Sequence, residues 1–436
     1  MTGLIDKAKA RLGFLRKYTN KVKGPAQNLT FWVVIHSILF LCIFTNLSLT
    51  YYLYPTPTAL ENIMALDILR GQIPYSDFAC EYPPLALLVF IIPALFFRPL
   101  SLYFMAFAAE IFLFDLLAMV LIIYVSKRLK ISIARSLLVY TLFIAVAAGP
   151  IIVQRYDLVP AVLVLAALAA FIKGKNKTAW AVLALGVMAK LYPLILAPFF
   201  AIWYIVKGQY RQLVKGVSTF LGVIFALTIP WIIIDARGFW ESISYHMERG
   251  LHIESLYGSL LMLGQLFGWT ELEGESSYGS YNLASPLADN ISEASFFVMA
   301  VVFIALYLLF ALQLKKRQDG ATGLEMSAPE TGELIIKFAS LAVIAFLLLN
   351  KVFSIQYMIW FCPLLPLLHI RRSNIIAILF LIAGALTLYI FPFNYTPLVR
   401  FETAPVIIMA SRNLLLLAIG ALILLSGPAK SAAKPV

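Results

Sequence analysis

Apolar residues run along this chain in long blocks, separated by short polar clusters, from residue 30 to residue 426. Blocks at 30–50, 101–125, 132–150, 158–172, 178–189, 192–206, 216–235, 296–314, 335–349, 357–369, 375–391 and 404–426 are each long enough, or nearly so, to cross a hydrocarbon layer as a helix. The pattern predicts an all-α polytopic membrane protein with about twelve transmembrane helices. One more block, PLALLVFIIPALFF at 84–97, is shorter and reads as a re-entrant or interfacial helix. Two long polar connections interrupt the series, at 51–100 and at 236–295. The second is rich in Tyr, Ser and Glu. A polar linker covers 315–334. The predicted organisation is a basic amphipathic segment at 1–29, a single transmembrane domain at 30–426 and a tail at 427–436.

Composition agrees with the pattern. The chain is 62% hydrophobic, with a mean hydropathy of +0.89, more apolar than a soluble surface tolerates. The net charge of +12 raises the question of nucleic acid, but the placement of the charge answers it. With the N-terminus cytoplasmic, 25 of the 34 Lys and Arg fall on the inner side with 5 acids, against 9 with 15 acids outside. Were 84–97 a full span, every later basic loop would face outward. The surplus is therefore a topology signal, and a nucleic-acid partner is not expected. Both termini are expected in the cytoplasm of a cell membrane, and membrane lipids are the expected surroundings. The basic N-terminal segment suits an anionic leaflet, and no cleavable signal peptide is evident. Cys42, Cys80 and Cys362 form no CxxC pattern, so neither a disulfide framework nor a zinc site is expected.

The outer charges stand mostly at span ends. Arg155 and Asp157 lie in QRYDLVP, Lys190 in MAKLYP at the apex of a short hairpin, Lys351 in NKVFSIQY, and Arg412 in the last span. Charge near the apolar layer is costly and faces a cavity or a partner. Lys and Arg gathered there suit a phosphate head group, and acids suit hydroxyl binding or proton abstraction. Alternatively, single cations at helix ends snorkel to lipid head groups, and Arg155 pairs with Asp157. Glu110 and Asp115 sit five apart within one span and point different ways, so interhelical hydrogen bonds are expected of both. His246 and His252 offer only a weak metal candidate, and no metal or cofactor is expected. No P-loop occurs, so ATP-driven transport has no support.

Residues 70–84, RGQIPYSDFACEYPP, place Asp77 and Glu81 among aromatic rings, Tyr82 included, just before the short apolar block. Carboxylates held against rings at a membrane surface lose water, which raises their pKa and suits a base. The plain alternative is a solvated loop anchored by its aromatic rings.

Taken in order, GQIPYSDFACEYPPLALL, RYDLVPAVLVLAALAA, MAKLYPLILAPF, HIESLYGSL, NKVFSIQYMIWFCPLLPLL and SRNLLLL resemble glycosyltransferase family 87 from about residue 50 to 420. That family is placed in the GT-C superfamily of membrane glycosyltransferases. The resemblance implies a large first extracytoplasmic loop with short membrane-lying helices, and an active site at the outer face. It implies a polyprenyl-phosphate sugar donor, most simply of mannose, a lipid or glycan acceptor, and inverting transfer with a first-loop carboxylate as general base. Similar proteins often carry an aspartate soon after the first span, whereas YYLYPTPT at 51–58 holds no acid. The base is then sought among Glu81, Asp77 and Glu61, in that order. Lys351, Arg155, Lys190 and Arg412 are the candidates for the donor phosphate, and Asp157, Glu254, Gln356, Tyr357 and Tyr82 for sugar and acceptor. A carrier or flippase of lipid-linked sugar is the alternative reading, and a polymerase of surface polysaccharide the third.

Overall fold

The computed structural model describes residues 29–51, 58–320 and 327–427. The basic segment before Leu29, the tail beyond 427, the middle of the polar linker and nearly all of YYLYPTPT lie outside the described residues.

The chain is mostly helical (79%). In order, the elements are α1 (Leu29–Tyr51), α2 (Thr58–Leu69), α3 (Pro84–Phe96), α4 (Leu100–Leu129), α5 (Ile133–Leu142), α6 (Leu158–Ile172), α7 (Asn176–Ala189), α8 (Ala197–Val206) and α9 (Tyr210–Glu248). After these come β1 (Leu251–His252), α10 (Leu256–Leu266), β2 (Glu273–Ser277), β3 (Ser280–Ala284), α11 (Pro286–Gly320), α12 (Ala328–Leu349), α13 (Ser373–Leu388), α14 (Tyr395–Val399) and α15 (Thr403–Leu425). Among the described residues six helices, α4, α9, α11, α12, α13 with its continuation to Phe393, and α15, are long and apolar enough to cross a membrane. Other apolar blocks form shorter helices of 10–17 residues, Pro84–Phe96 among them.

Local chemistry sets the helix ends. Pro84 opens α3, where its missing N–H costs nothing. Ser327 and Glu330 form a reciprocal capping box on α12, the most buried of the long helices. Glycines bring helices together. A Cβ on Gly216 would fall 2.1 Å from the Trp180 indole, and one on Gly384 would fall 2.4 Å from the Ala147 backbone. Only glycine permits either contact.

Asp115 behaves as its position in α4 predicts. It accepts from Tyr140 at 2.6 Å and contacts His36, whose other ring nitrogen meets Thr141 at 2.9 Å. Three helices are tied by one buried polar knot, which is how ionisable groups persist inside an apolar layer. Glu110 departs from the expectation, since its buried Oε2 has no hydrogen-bond partner.

The stretch 236–295 also holds what an all-helical reading misses. Strands β1, β3 and β2 form a three-stranded antiparallel sheet in that order. A segment reading EGESS carries no β-forming pattern. A tight turn at Tyr278-Gly279 creates the strand pair instead.

Candidate functional site

A cavity of about 660 Å3 opens where α2, the loop before α3, the α5–α6 and α7–α8 junctions, the end of α9, the small sheet and the segment after α12 converge. Its wall includes Glu81, Tyr82, Arg155, Asp157, Lys190, Glu254, Gln356 and Tyr357. Eight of the twelve candidate residues are thus brought together from five separate stretches of chain. Asp77, Glu61, Lys351 and Arg412 lie outside the wall, each for a visible reason.

The loop 70–83 is pinned at both ends. Tyr75 adopts a left-handed conformation, φ 68°, and buries its ring between Trp231 and Phe239, each 5.3 Å away. Its hydroxyl donates to the Tyr82 carbonyl at 2.6 Å. Tyr82 packs edge-on against Tyr156 and Phe90. His246, near the end of α9, uses its Nε2–H to hold the Glu81 carbonyl at 2.9 Å. The Glu81 side chain is left facing the cavity. Burial raises its pKa, while its own backbone N–H, Arg249 and Arg155 pull it back down. Asp77 is exposed, and its carboxylate accepts from the Ile73 N–H at 2.7 Å, closing a turn.

Glu61 lies behind the wall. It is fully buried in α2, with Arg155 Nη1 at 3.6 Å from Oε1. Burial raises its pKa to about 7, and Arg155 opposes this. Part of the Arg155 charge is spent on that carboxylate.

Asp157 and Lys190 form a second buried pair. Lys190 Nζ donates to Asp157 Oδ1 at 2.6 Å, and the Trp360 indole donates to the same oxygen at 2.6 Å. The ammonium also sits 4.9, 5.1 and 5.2 Å from the rings of Tyr156, Tyr357 and Trp360. Trp360 is stacked between Tyr192 at 4.0 Å and Tyr357 at 4.1 Å. An aromatic cage of this kind holds a cation tightly.

Glu254 forms the far wall. Burial raises its pKa to about 7, opposed by Arg412 and by hydrogen bonds from the Tyr395 hydroxyl and the Ile355 N–H. Arg412 itself is buried below the wall. It donates to the Glu254 carbonyl at 2.7 Å and lies 4.2 Å over the Phe353 ring. Asn413 holds the Ser255 carbonyl at 3.1 Å. His252 donates through Nδ1–H to the Phe353 carbonyl at 2.8 Å. Its pKa is lowered to about 3, by burial first and then by Arg249, so it stands neutral beside Glu254. Among the described residues no three His, Cys, Asp or Glu gather at metal-ligating spacing.

Reading the sequence missed Arg249, which follows α9 and lines the cavity. Among the described residues it has no carboxylate within ion-pairing distance, and its buried Nε has no hydrogen-bond partner. Its one signal was its place, five residues ahead of Glu254. Lys351 stands outside the wall but donates to the Met247 carbonyl at 2.8 Å, fixing the chain that carries Arg249. Burial and Arg249 lower the pKa of Lys351. Trp360 was missed because it reads as one more apolar residue in QYMIWF.

The cavity therefore offers a carboxylate, an unpaired cation and a ring-lined wall to one ligand. The model of glycosyltransferase family 87 matches residues 81–329, more than half of the chain. A comparison with curated proteins found no match.

Proposed function

The chain belongs to glycosyltransferase family 87, and from that premise we propose that it transfers a hexose, most simply mannose, from a polyprenyl-phosphate donor to a lipid or glycan acceptor at the extracytoplasmic face. The observation that carries this reading is the pairing of Glu81 with Arg249 across one cavity. A base and a site for departing negative charge are what glycosyl transfer requires.

The donor lies with its phosphate against Arg249, with Arg155 and Lys190 adding field from their own ion pairs. Its prenyl chain leaves the cavity between Leu60, Ile63 and Leu191, which line the wall yet are 43%, 55% and 43% exposed. An exposed apolar rim in a membrane protein faces lipid. The sugar ring lies beside the edges of the stacked Tyr357 and Trp360 rings, and Asp157, Glu254 and Gln356 take its hydroxyls.

The acceptor oxygen attacks the anomeric carbon from the side opposite the phosphate, and its proton passes to Glu81. The bond from the anomeric carbon to the phosphate oxygen breaks, and the electron pair leaves with the polyprenyl phosphate. Arg249 meets that charge with a planar fork of donors. The product is inverted at the anomeric carbon.

The test is transfer itself. Purified protein in nanodiscs receives radiolabelled polyprenyl-phosphate mannose and a lipid extract of its host. The expected result is label moving from the donor to a new product, and no such product from Glu81→Gln. A donor left intact, with other lipid-linked sugars also tried, sinks the reading and leaves a carrier.

A further inference from the structure

The turn joining β2 to β3 is built against ordinary preference. Ser277 and Ser280 face each other across the ladder, so Tyr278 and Gly279 alone make the loop. Both have positive φ, 52° and 64°. Such two-residue loops favour Asn, Asp or Gly in both places, because a side chain there crowds the following carbonyl. A tyrosine in the first place is a strained choice, and strain of this kind marks a residue whose side chain is needed.

The left-handed backbone sets the Tyr278 ring at the mouth of the cavity. Tyr278, Gly279 and Ser280 all line it. The ring meets Tyr245 of α9 at 5.3 Å and 72°, and the hydroxyl donates to Glu248 at 3.2 Å. The two rings make a corner, with Tyr278 37% exposed. Glu248 and Glu275 stand beside the ring, and both are exposed. No Lys or Arg occurs between Arg249 and Lys315. Arg155 and Lys190 stand elsewhere on the cavity wall, whereas this corner is aromatic, with Glu248 and Glu275 beside its exposed ring.

We infer that Tyr278, with Tyr245 and the hairpin tip, forms the acceptor subsite, and that it receives the uncharged end of a carbohydrate. The C–H face of a sugar ring stacks on an aromatic face, and carboxylates and serine hydroxyls accept and donate to its hydroxyls. Glu248 and Glu275 together repel an anionic acceptor end. The inference rests on the transferase reading for the word acceptor, since the same corner in a carrier would be a carbohydrate site only.

The experiment uses the full chain in nanodiscs and saturation-transfer NMR with mannotriose, maltotriose and cellotriose, and with trigalacturonate as the anionic control. Tyr278→Gly removes the ring and also relieves the turn, so it folds at least as well. Tyr278→Phe keeps the ring and loses only the hydroxyl. At least one neutral trisaccharide is expected to take up saturation on its ring protons. Its binding is expected to weaken tenfold or more in Tyr278→Gly at an unchanged or higher thermal midpoint, and to stay within threefold in Tyr278→Phe. Trigalacturonate is expected to take up none. Equal binding by wild type and Tyr278→Gly, no binding by any neutral sugar, or equal binding of trigalacturonate overturns the inference. The two readings fail separately. A donor consumed without trisaccharide binding leaves the transferase and removes this subsite. Trisaccharide binding lost in Tyr278→Gly, with a donor never consumed, leaves a carbohydrate site and removes the transferase.

Discussion

The indole N–H of Trp360 meets the carboxylate of Asp157 at 2.6 Å, on the same oxygen that the Lys190 ammonium holds at 2.6 Å. Two donors from distant stretches thus fix one buried acid, and the acid fixes them. Asp157→Asn leaves Lys190 without a counter-charge inside an aromatic cage. Breaking a buried pair from one side costs about 3–5 kcal/mol. The expected result is a lowered thermal midpoint and transfer reduced by about a hundredfold or more, read in nanodiscs by calorimetry and by the labelled-donor assay. Trp360→Phe keeps the stack and removes one charge-assisted hydrogen bond, worth about 1.5–3 kcal/mol. It is expected to do less damage than Asp157→Asn on both measures.

Glu81→Gln is expected to lower the transfer rate by about 100- to 10,000-fold, the usual worth of a positioned base, while donor affinity changes little. Asp77→Asn keeps the side-chain oxygen that accepts the Ile73 N–H and is expected to retain nearly full transfer. Rates of the two variants, measured side by side, decide between the acids. Loss in Asp77→Asn with retention in Glu81→Gln would reverse the assignment.

Arg249 is predicted to act on the leaving phosphate. Arg249→Gln is expected to lower turnover by about 100- to 1,000-fold, as removal of a charge-stabilising donor does. Arg249→Lys keeps the charge without the fork and is expected to fall between. Equal turnover in wild type and Arg249→Gln, in single-turnover kinetics, would rule this role out.

Glu61 gives a pH signature. Its pKa in the folded protein is raised to about 7 by burial, against about 4.3 in an unfolded chain. The native state therefore holds the proton more tightly. This contribution to stability is complete below about pH 4.3 and is lost progressively as pH rises to about 7. The full span is on the order of 4 kcal/mol. Thermal midpoints from pH 4.5 to 7.5 are expected to fall with rising pH, and less steeply in Glu61→Gln. Parallel curves for the two proteins would refute it.

Gly238 makes the closest approach between α9 and the loop that carries Glu81. A Cβ there would fall 1.7 Å from the Tyr75 carbonyl oxygen, an atom of a backbone held in an unusual conformation. Gly238→Ala is expected to cost about 1–3 kcal/mol, the range of overpacking, and to lower transfer although no residue of the cavity wall has changed. Calorimetry and the transfer assay on one preparation check both parts.

Much of this was legible in the sequence because apolar blocks declare their own ends. Arg155, Asp157 and Lys190 each stand at such an end, and the structure brings them to one cavity. Asp235, the last residue of the block 216–235, is where α9 leaves helical geometry (φ −152°, ψ 95°). What stayed hidden depended on orientation or distance. Asp77 and Glu81 look alike in a string, and only the turn closed by Asp77 tells them apart. Arg412 looked like a ligand-facing cation, yet it faces the Glu254 carbonyl. The knot of His36, Asp115 and Tyr140 joins residues up to 104 positions apart, which no local pattern encodes.

His246 on the Glu81 carbonyl and Gly238 against the Tyr75 carbonyl join two connections that lie 165 positions apart. Each packs directly against the backbone of the other. A chimera that takes residues 70–83 from one relative and 236–250 from another would inherit two surfaces never fitted together. The unit of inheritance at this end of the molecule is the matched pair of segments, so this part of the cavity wall, moved to another scaffold, must travel as both pieces at once.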